Sequence, residues 1–515
     1  AALPHGGDRL RHRRRRQVHL RPGNAAGSGV RPASARPCAA PAGPSFRVKT
    51  HTRLADFETP LSAYWKLAHD ETLSFLLESV TGGEQVARYS FIGVRPRGIF
   101  RALDTRSQFM TPDATPDRPE LPDPLMHLRS FLPRIQAAEA AGLPKLCGGA
   151  VGFLTYDYVR RVERLPDANP DELGLDDTCF LICDTVVVFD HARRSILLVS
   201  LIDESDPDAE ARALAEVERI EARLQGPLPS IPEGTFPVHP VAANTDQATF
   251  EAGVERIIEY IRAGDGVQMV PSVRFSTPVD AHPLTVYRAL RSLNPSPYMF
   301  LFRGPDVDVV GASPELLVGL TAGQARVRPI AGTRPRGATA EDDLALGENL
   351  LADEKERAEH IMLVDLGRND LGRVCQYGSV QVKELMVIER YSHVMHIVSD
   401  VVGTLSPELD GIDLVRATFP AGTLSGAPKI RAMEIIDEIE PVRRGLYGGA
   451  IGYFSATGDV DLAIAIRSIV LKGGVGYVQA GAGIVYDSVP SKEWAECHQK
   501  AGAALQAIAM AQKGL

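Results

Sequence analysis

Apolar positions recur at helical spacing over residues 246–262, where Phe250, Val254, Ile257, Ile258 and Ile261 form one stripe. This predicts a helix from about Asp246 to Arg262, stopped by Gly264. A helical stretch opens at Thr59-Pro60 with Leu61, Tyr64, Trp65 and Leu67, and an Ala/Glu-rich helix is predicted at 208–224. Further helices are predicted near 341–365, 428–439 and 491–511. Alternating or continuous apolar runs predict strands at 74–80, 88–93 and 151–157, and a hairpin of 178–190 with 195–202. More strands are predicted at 267–275, 308–312, 325–331, 448–454, 462–471 and 475–486. The 267–275 strand puts Gln268 on the face opposite Val267 and Met269. Residues 103–125, rich in Pro and Asp, read as loop. Strand and helix runs mix without a regular βαβ rhythm, which predicts an α+β fold.

Composition divides the chain. Residues 1–46 hold nine Arg, no Lys, one acid (Asp8) and no apolar periodicity. They read as a disordered extension, with a nucleic-acid tail or a transit peptide as alternatives; only Ser28, Ser34 and Ser45 supply serine, which weakens the second. Removing those nine bases and one acid from totals of 56 and 65 leaves 47 bases against 64 acids, so the body is acidic and ill suited to nucleic acid. The Pro-rich 227–245 reads as a linker between an N-terminal region at 47–226 and a second region at 246–515. No run of about 18 apolar residues suggests a membrane span. The six cysteines show no ligand or disulfide spacing, which fits reduced thiols in a cytoplasmic protein.

The stretch richest in chemistry is Asp353–Arg373. Asp353 and Glu354 suit the first turn of a helix, where the dipole favours acids. Glu356, Glu359, His360 and Leu363 share one face. Like charges one turn apart repel by roughly 0.2–0.5 kcal/mol, and a lone E-x-x-E is ordinarily a solvated face. A second pair, Glu493 and Glu496, with Lys500 one turn on, changes the odds. Two helices each offering two carboxylates can clamp one hard cation such as Mg²⁺.

The runs K-E-R-A-E-H (355–360), L-V-D-L-G-R-N-D-L (363–371) and E-W-A-E-C-H-Q-K (493–500) resemble the chorismate-utilising enzymes. Within them the likeness is greatest to the large subunits of the anthranilate synthases. It extends over about residues 50–510 and implies a large sandwich of antiparallel sheets with helices outside. It also implies Mg²⁺ held by Glu359 and Glu496, with Glu356 and Glu493 bound directly or through water. Glu315, in G-A-S-P-E, resembles the general acid for the departing 4-hydroxyl of chorismate, a role that needs a raised pKa. His396 resembles the histidine near the reacting ring; a satisfied core histidine is the alternative. Gly332 and Thr333, Tyr447, Arg467, the Gly481, Ala482 and Gly483 run and Lys500 resemble contacts to the substrate carboxylates. Each glycine taken alone reads as a tight turn. Ser79, with Pro297, Tyr298 and Met299, resembles the two walls of a pocket for inhibitory L-tryptophan, against a strand end and a core turn.

Two positions separate branches of the family. Members that add water at C2 place a lysine base where this chain has Gln268, which would sit at the reaction site without that function. Aminodeoxychorismate synthases of the usual kind place a nucleophilic lysine where it has Ala331, which forms no adduct. Ammonia needs no base, so addition at C2 and loss of pyruvate to give anthranilate is the expected reaction. No glutaminase half follows the last helix, which implies a separate glutamine amidotransferase subunit, with a heterotetramer the expected assembly. Aminodeoxychorismate synthesis, or a catalytically idle homologue serving as a binding subunit, are the alternatives; the second predicts broken metal carboxylates, and none is broken.

Overall fold

In the computed structural model the described residues are 45–79, 88–111, 120–391 and 394–515. The N-terminal extension up to residue 44 lies outside them, as does His393. Two large sheets, of twelve and eleven strands, carry the fold among these residues. Pairing is antiparallel except where Ser45–Leu54 meets Arg134–Ile135.

The sheets stack with a shared inner core. Phe75, Phe91, Phe300 and Phe302 from one sheet meet Val151, Phe153, Leu181, Ile451 and Tyr453 from the other. Helices cover the outer faces. Pro60–Ala68, Gln247–Ala263, Pro283–Leu293 and Pro490–Lys513 lay Tyr64, Phe250, Val254, Tyr287 and Ala504 against the twelve-stranded sheet. Glu354–Gly372, Gly411–Thr418 and Lys429–Ile439 lay Val364, Leu371, Ile412, Val415 and Met433 against the other. Each fully buried Leu or Phe contributes about 1.5–3 kcal/mol. Because both faces of a sheet are covered, Thr178–Cys183 is buried at every position and reads as a continuous apolar run.

Strands from both sides of the 227–245 segment share these sheets. Ser74–Glu78 pairs with Tyr298–Arg303, and Gly149–Leu154 pairs with Ala450–Ser455. The chain also passes directly between sheets. Asp308–Ser313 lies in the twelve-stranded sheet and Leu316–Thr321 in the eleven-stranded one. Val460–Ile464 and Ser468–Lys472 make the reverse crossing. Pro314-Glu315 and Ala465–Arg467 are therefore corners of the sandwich.

These crossings explain where the apolar pattern misleads. The single strands expected at 462–471 and 178–190 are each two strands in different sheets, because a run buried throughout does not reveal a change of partner. Residues 267–275 divide at Val270-Pro271 into Gln268–Met269 and Ser272–Pro278. Val267 is exposed while Gln268 and Met269 are both buried, so the expected alternation fails there. The helix expected at 341–365 is two, Ala340–Ala352 and Glu354–Gly372, parted by Asp353. Asp353 caps the second by accepting from the Lys355 and Glu356 amides at 3.1 and 3.2 Å. Part of the expected 103–125 loop is a strand, Arg106–Met110.

Candidate active site

Glu315 stands at one sandwich corner. Its amide donates to Ser313 Oγ at 3.3 Å, and its carbonyl accepts from Ile464 N at 3.0 Å. The side chain turns inward and the residue is 8% exposed. Burial pushes its carboxyl up to about 8, against the opposing pull of a hydrogen bond from Thr423 Oγ1 at 2.9 Å and of the Lys500 charge. At neutral pH the group is a carboxylic acid with a proton to give.

Arg467 stands at the other corner in left-handed backbone, φ 53°, a conformation that is costly for a side-chain-bearing residue. Its Nη1 donates to the Lys500 carbonyl at 2.6 Å, and among the described residues it makes no ion pair. Burial lowers its pKa, with Tyr447 and Glu496 opposing. A largely buried guanidinium held by one carbonyl keeps donors free for an anion. Lys500 Nζ spans Glu496 Oε1 at 2.7 Å and the Gly481 carbonyl at 2.9 Å.

Packing requires two of the nearby glycines. A Cβ on Gly481 would fall 2.6 Å from the Pro271 carbonyl and 2.8 Å from the Tyr447 hydroxyl, and one on Gly483 would fall 2.7 Å from Gln268 Nε2. Between them Ala482 is fully buried and its amide donates to the Pro271 carbonyl at 3.1 Å. Gln268 Nε2 in turn donates to Glu359 Oε1 at 2.8 Å, so the 481–483 run is linked to the carboxylate-bearing helix.

On that helix Glu356 and Glu359 are half-buried, beside buried His360 and Leu363. His360 is fixed by Ser399 Oγ at 2.6 Å from Nε2. Burial first and the Glu359 charge second raise the pKa of Glu356, which Arg334 meets at 3.5 Å. On the Pro490–Lys513 helix burial raises Glu493, and neighbouring Glu496 adds to it. The first turns of the two helices are neighbours: Lys355 Nζ pairs with Asp487 at 3.1 Å and its charge reaches Glu493. The four carboxylates do not close into a coordination sphere, since among the described residues no three His, Cys, Asp or Glu side chains converge as metal ligands do.

Gly332 has φ 65°, and a Cβ there would sit 3.1 Å from Glu356 Oε2. The Gly332 carbonyl lies 2.8 Å from His396 Nδ1, and Thr333 Oγ1 lies 3.2 Å from it. A carbonyl only accepts, so Nδ1 carries the proton and Nε2 keeps its lone pair. Burial lowers the imidazole's pKa and keeps it neutral, the Arg467 charge adding to this while the Gly332 bond opposes it.

The residues expected to hold tryptophan lie on paired strands. Met299 is opposite Glu78, and carrying that register one step on brings Ser79 level with Tyr298. Ser74–Glu78 is not a sheet edge as a strand-end reading would have it, since Tyr89–Val94 pairs with its other side. Pro297 and Met299 are buried and Tyr298 half-buried. Tyr298 is also opposite Ser313, two residues before Glu315, and the preceding Ser296 Oγ donates to the Ser313 carbonyl at 2.6 Å.

Thr423, the hydrogen-bond partner of Glu315, was not singled out from the sequence; its one signal is the small-residue run G-T-L-S-G-A-P at 422–428. Glu389 and Tyr391 were also missed. Glu389 is paired across strands with His396 and accepts from Tyr391 OH at 2.7 Å.

Residues 74–506 of the chain match the chorismate binding enzyme family, and the chain belongs to that family. Its relatives are more specific. It is 50% identical over 471 residues to anthranilate synthase component 1 of Pseudomonas aeruginosa, covering 90% of this chain and 95% of that protein. It is 49% identical over 474 residues to anthranilate synthase component 1 of Pseudomonas putida, covering 89% and 94%. The crystal structure of anthranilate synthase component I from Streptococcus pneumoniae matches with a TM-score of 0.73 at 40% identity, covering 81% of this chain and 92% of that one. Among the described residues no helix is long and apolar enough to cross a membrane.

Proposed function

We infer that the chain is the large, chorismate-converting component of an anthranilate synthase, a lyase forming anthranilate and pyruvate in tryptophan biosynthesis. Identity to proteins of that name across nine-tenths of the chain supports this. The observation that carries the chemistry is Glu315: a carboxyl pushed up to about 8 is an acid ready for the 4-hydroxyl.

Arg467 and Lys500, with the Gly483 amide, Tyr447 and Thr333, bind the two substrate carboxylates. Ammonia bonds to C2, the ring double bonds shift, and the C4–O bond breaks; the hydroxyl leaves as water with the Glu315 proton. His396 Nε2 then takes the C2 proton as the C3–O bond breaks and the enolate of pyruvate departs. The enolate takes up one proton to become pyruvate and His396 gives one up, which restores the neutral imidazole. Gln268 offers no base for water, and Ala331 offers no nucleophile. The donor set suits a hard cation: two carboxylate pairs on adjacent helices, with Glu356 and Glu493 raised by burial and by their neighbours. Glu356, Glu359, Glu493 and Glu496 would hold Mg²⁺, which polarises the ring carboxylate when bound.

With chorismate, Mg²⁺ and ammonium the purified chain is expected to produce the fluorescence of anthranilate, and with glutamine in place of ammonium to produce none. Glutamine-driven turnover by the single chain, or 4-amino-4-deoxychorismate as product, would overturn the reading. A glutamine amidotransferase subunit, expected in a heterotetramer, supplies the ammonia.

L-tryptophan is the proposed inhibitor, held between Ser79 and Pro297–Met299. The pairing of Tyr298 with Ser313 supports coupling, because a ligand there bears on the strand that ends at Glu315. A coupling of about 1–3 kcal/mol corresponds to roughly 5–150-fold in affinity. Ser79→Leu is expected to raise the half-inhibitory tryptophan concentration by at least about tenfold with little loss of uninhibited rate. A wild type indifferent to millimolar tryptophan removes the pocket; a variant inactive without tryptophan makes Ser79 structural.

A further inference from the structure

Behind Glu315 lies a cavity of about 50 Å³ lined by Glu315, Thr423, Thr418, Asp370, Arg328 and Leu366, among others. A water needs roughly 10–15 Å³ of such space and two to four polar partners, so the cavity has room for a few. Its polar wall is ordered. Thr423 Oγ1 lies 2.9 Å from Glu315 Oε1. Asp370, 7% exposed, is paired with Lys429 at 2.8 Å, and Lys429 also donates to the Thr418 carbonyl at 3.1 Å. Asp370 and Lys429 have no part in the chemistry so far described, yet they place a buried ion pair beside the space that ends on the acid. Buried pairs of this kind cost desolvation and are poor devices for stability alone.

We propose that this cavity is the proton-return path for Glu315, with Thr423 the relay group and the Asp370–Lys429 pair ordering the water at its far side. The need is set by the reaction. Glu315 gives its O–H proton to the departing hydroxyl and is left as a carboxylate in a buried place, with its substrate side covered by the aminated ring. A proton from solvent enters by the cavity waters, a water passes one to Thr423 Oγ1, and the Thr423 O–H proton moves to Glu315 Oε1. The hydroxyl is regenerated, the carboxyl is restored, and the excess proton on the new C2 amine is released to solvent, so each turnover balances. Asp370 and Lys429 act here as positioning residues, since they touch neither substrate nor reacting atoms.

This rests on Glu315 as the acid, a reading that fails separately if Glu315→Gln stays active. The relay is tested by comparing single-turnover with steady-state rates at saturating ammonia. Each molecule of enzyme begins with Glu315 protonated, so Thr423→Val is expected to complete its first turnover within about twofold of wild type. Later turnovers are expected to slow at least tenfold, with KM for chorismate little changed and a larger solvent deuterium isotope effect on the slow phase. Thr423→Ser, which keeps the hydroxyl, is expected to restore the later turnovers. Asp370→Asn, with folding checked by circular dichroism, is expected to show the same burst. First and later turnovers slowed together, no slowing in Thr423→Val, or no rescue by serine each overturn the relay.

Discussion

Replacing Glu315 by glutamine is expected to lower turnover with ammonia by about 10²–10⁴-fold, the usual worth of a positioned general acid. Glutamine keeps the shape and can still meet Thr423, so folding is expected to survive. The wild-type rate, measured at constant free NH₃ rather than constant ammonium, is expected to fall as pH rises through about 8, where Glu315 loses its proton. Stability supplies a second reading with a definite sign. Between the ordinary carboxyl range near 4.5 and about 8, native Glu315 is protonated while unfolded Glu315 is not. The native state then binds the extra proton, so unfolding free energy declines as pH rises across that window and levels off above it. Glu315→Gln has no such group, and its stability relative to wild type is expected to grow from pH 4.5 to pH 8. A variant that stays active, or a stability difference flat with pH, would assign the acid elsewhere.

Much of the fold was legible because its local periods are clean. The Gln247–Ala263 helix showed its stripe, its start near Asp246 and its stop at Gly264; the structure adds that Asp246 caps it by accepting from the Thr249 amide and that Gly264 is left-handed. The shared face of Glu356, Glu359, His360 and Leu363 followed from helical spacing alone, and the structure shows it as a boundary from half-buried to buried. What was not legible is what depends on partners far along the chain. Nothing local in A-I-A-I-R-S-I-V tells that Ile464 and Ser468 belong to different sheets, or that Arg467 turns through φ 53° between them. Thr423 is 108 residues from the carboxyl it meets, and a lone threonine among small residues carries no signal. The sequence motifs named Glu315 only by likeness; its burial, which gives it a proton at neutral pH, is a property of the corner and not of S-P-E.

Glu359→Gln and Glu496→Gln are expected to remove Mg²⁺-dependent turnover while leaving the fold intact. Each change takes away one negative charge and one anionic ligand from a set meant for a hard cation. The two positions are distinguishable by their neighbours. Glu359 accepts from Gln268, so its loss also loosens the 481–483 run that Gln268 packs against. Glu496 holds Lys500, so its loss frees that ammonium, and the Glu496 variant is expected to retain chorismate binding better than the Glu359 variant. Both sites are half-buried, which keeps the expected stability change small. Glu354→Gln, an exposed acid on the same helix, is the control and is expected to behave as wild type. Mg²⁺ titrations followed by calorimetry as well as by anthranilate fluorescence separate lost metal binding from lost chemistry. An apparent Mg²⁺ affinity weakened at least tenfold in both variants and unchanged in the control is the expected result. Unchanged Mg²⁺ affinity in either glutamine variant moves the cation away from these two helices.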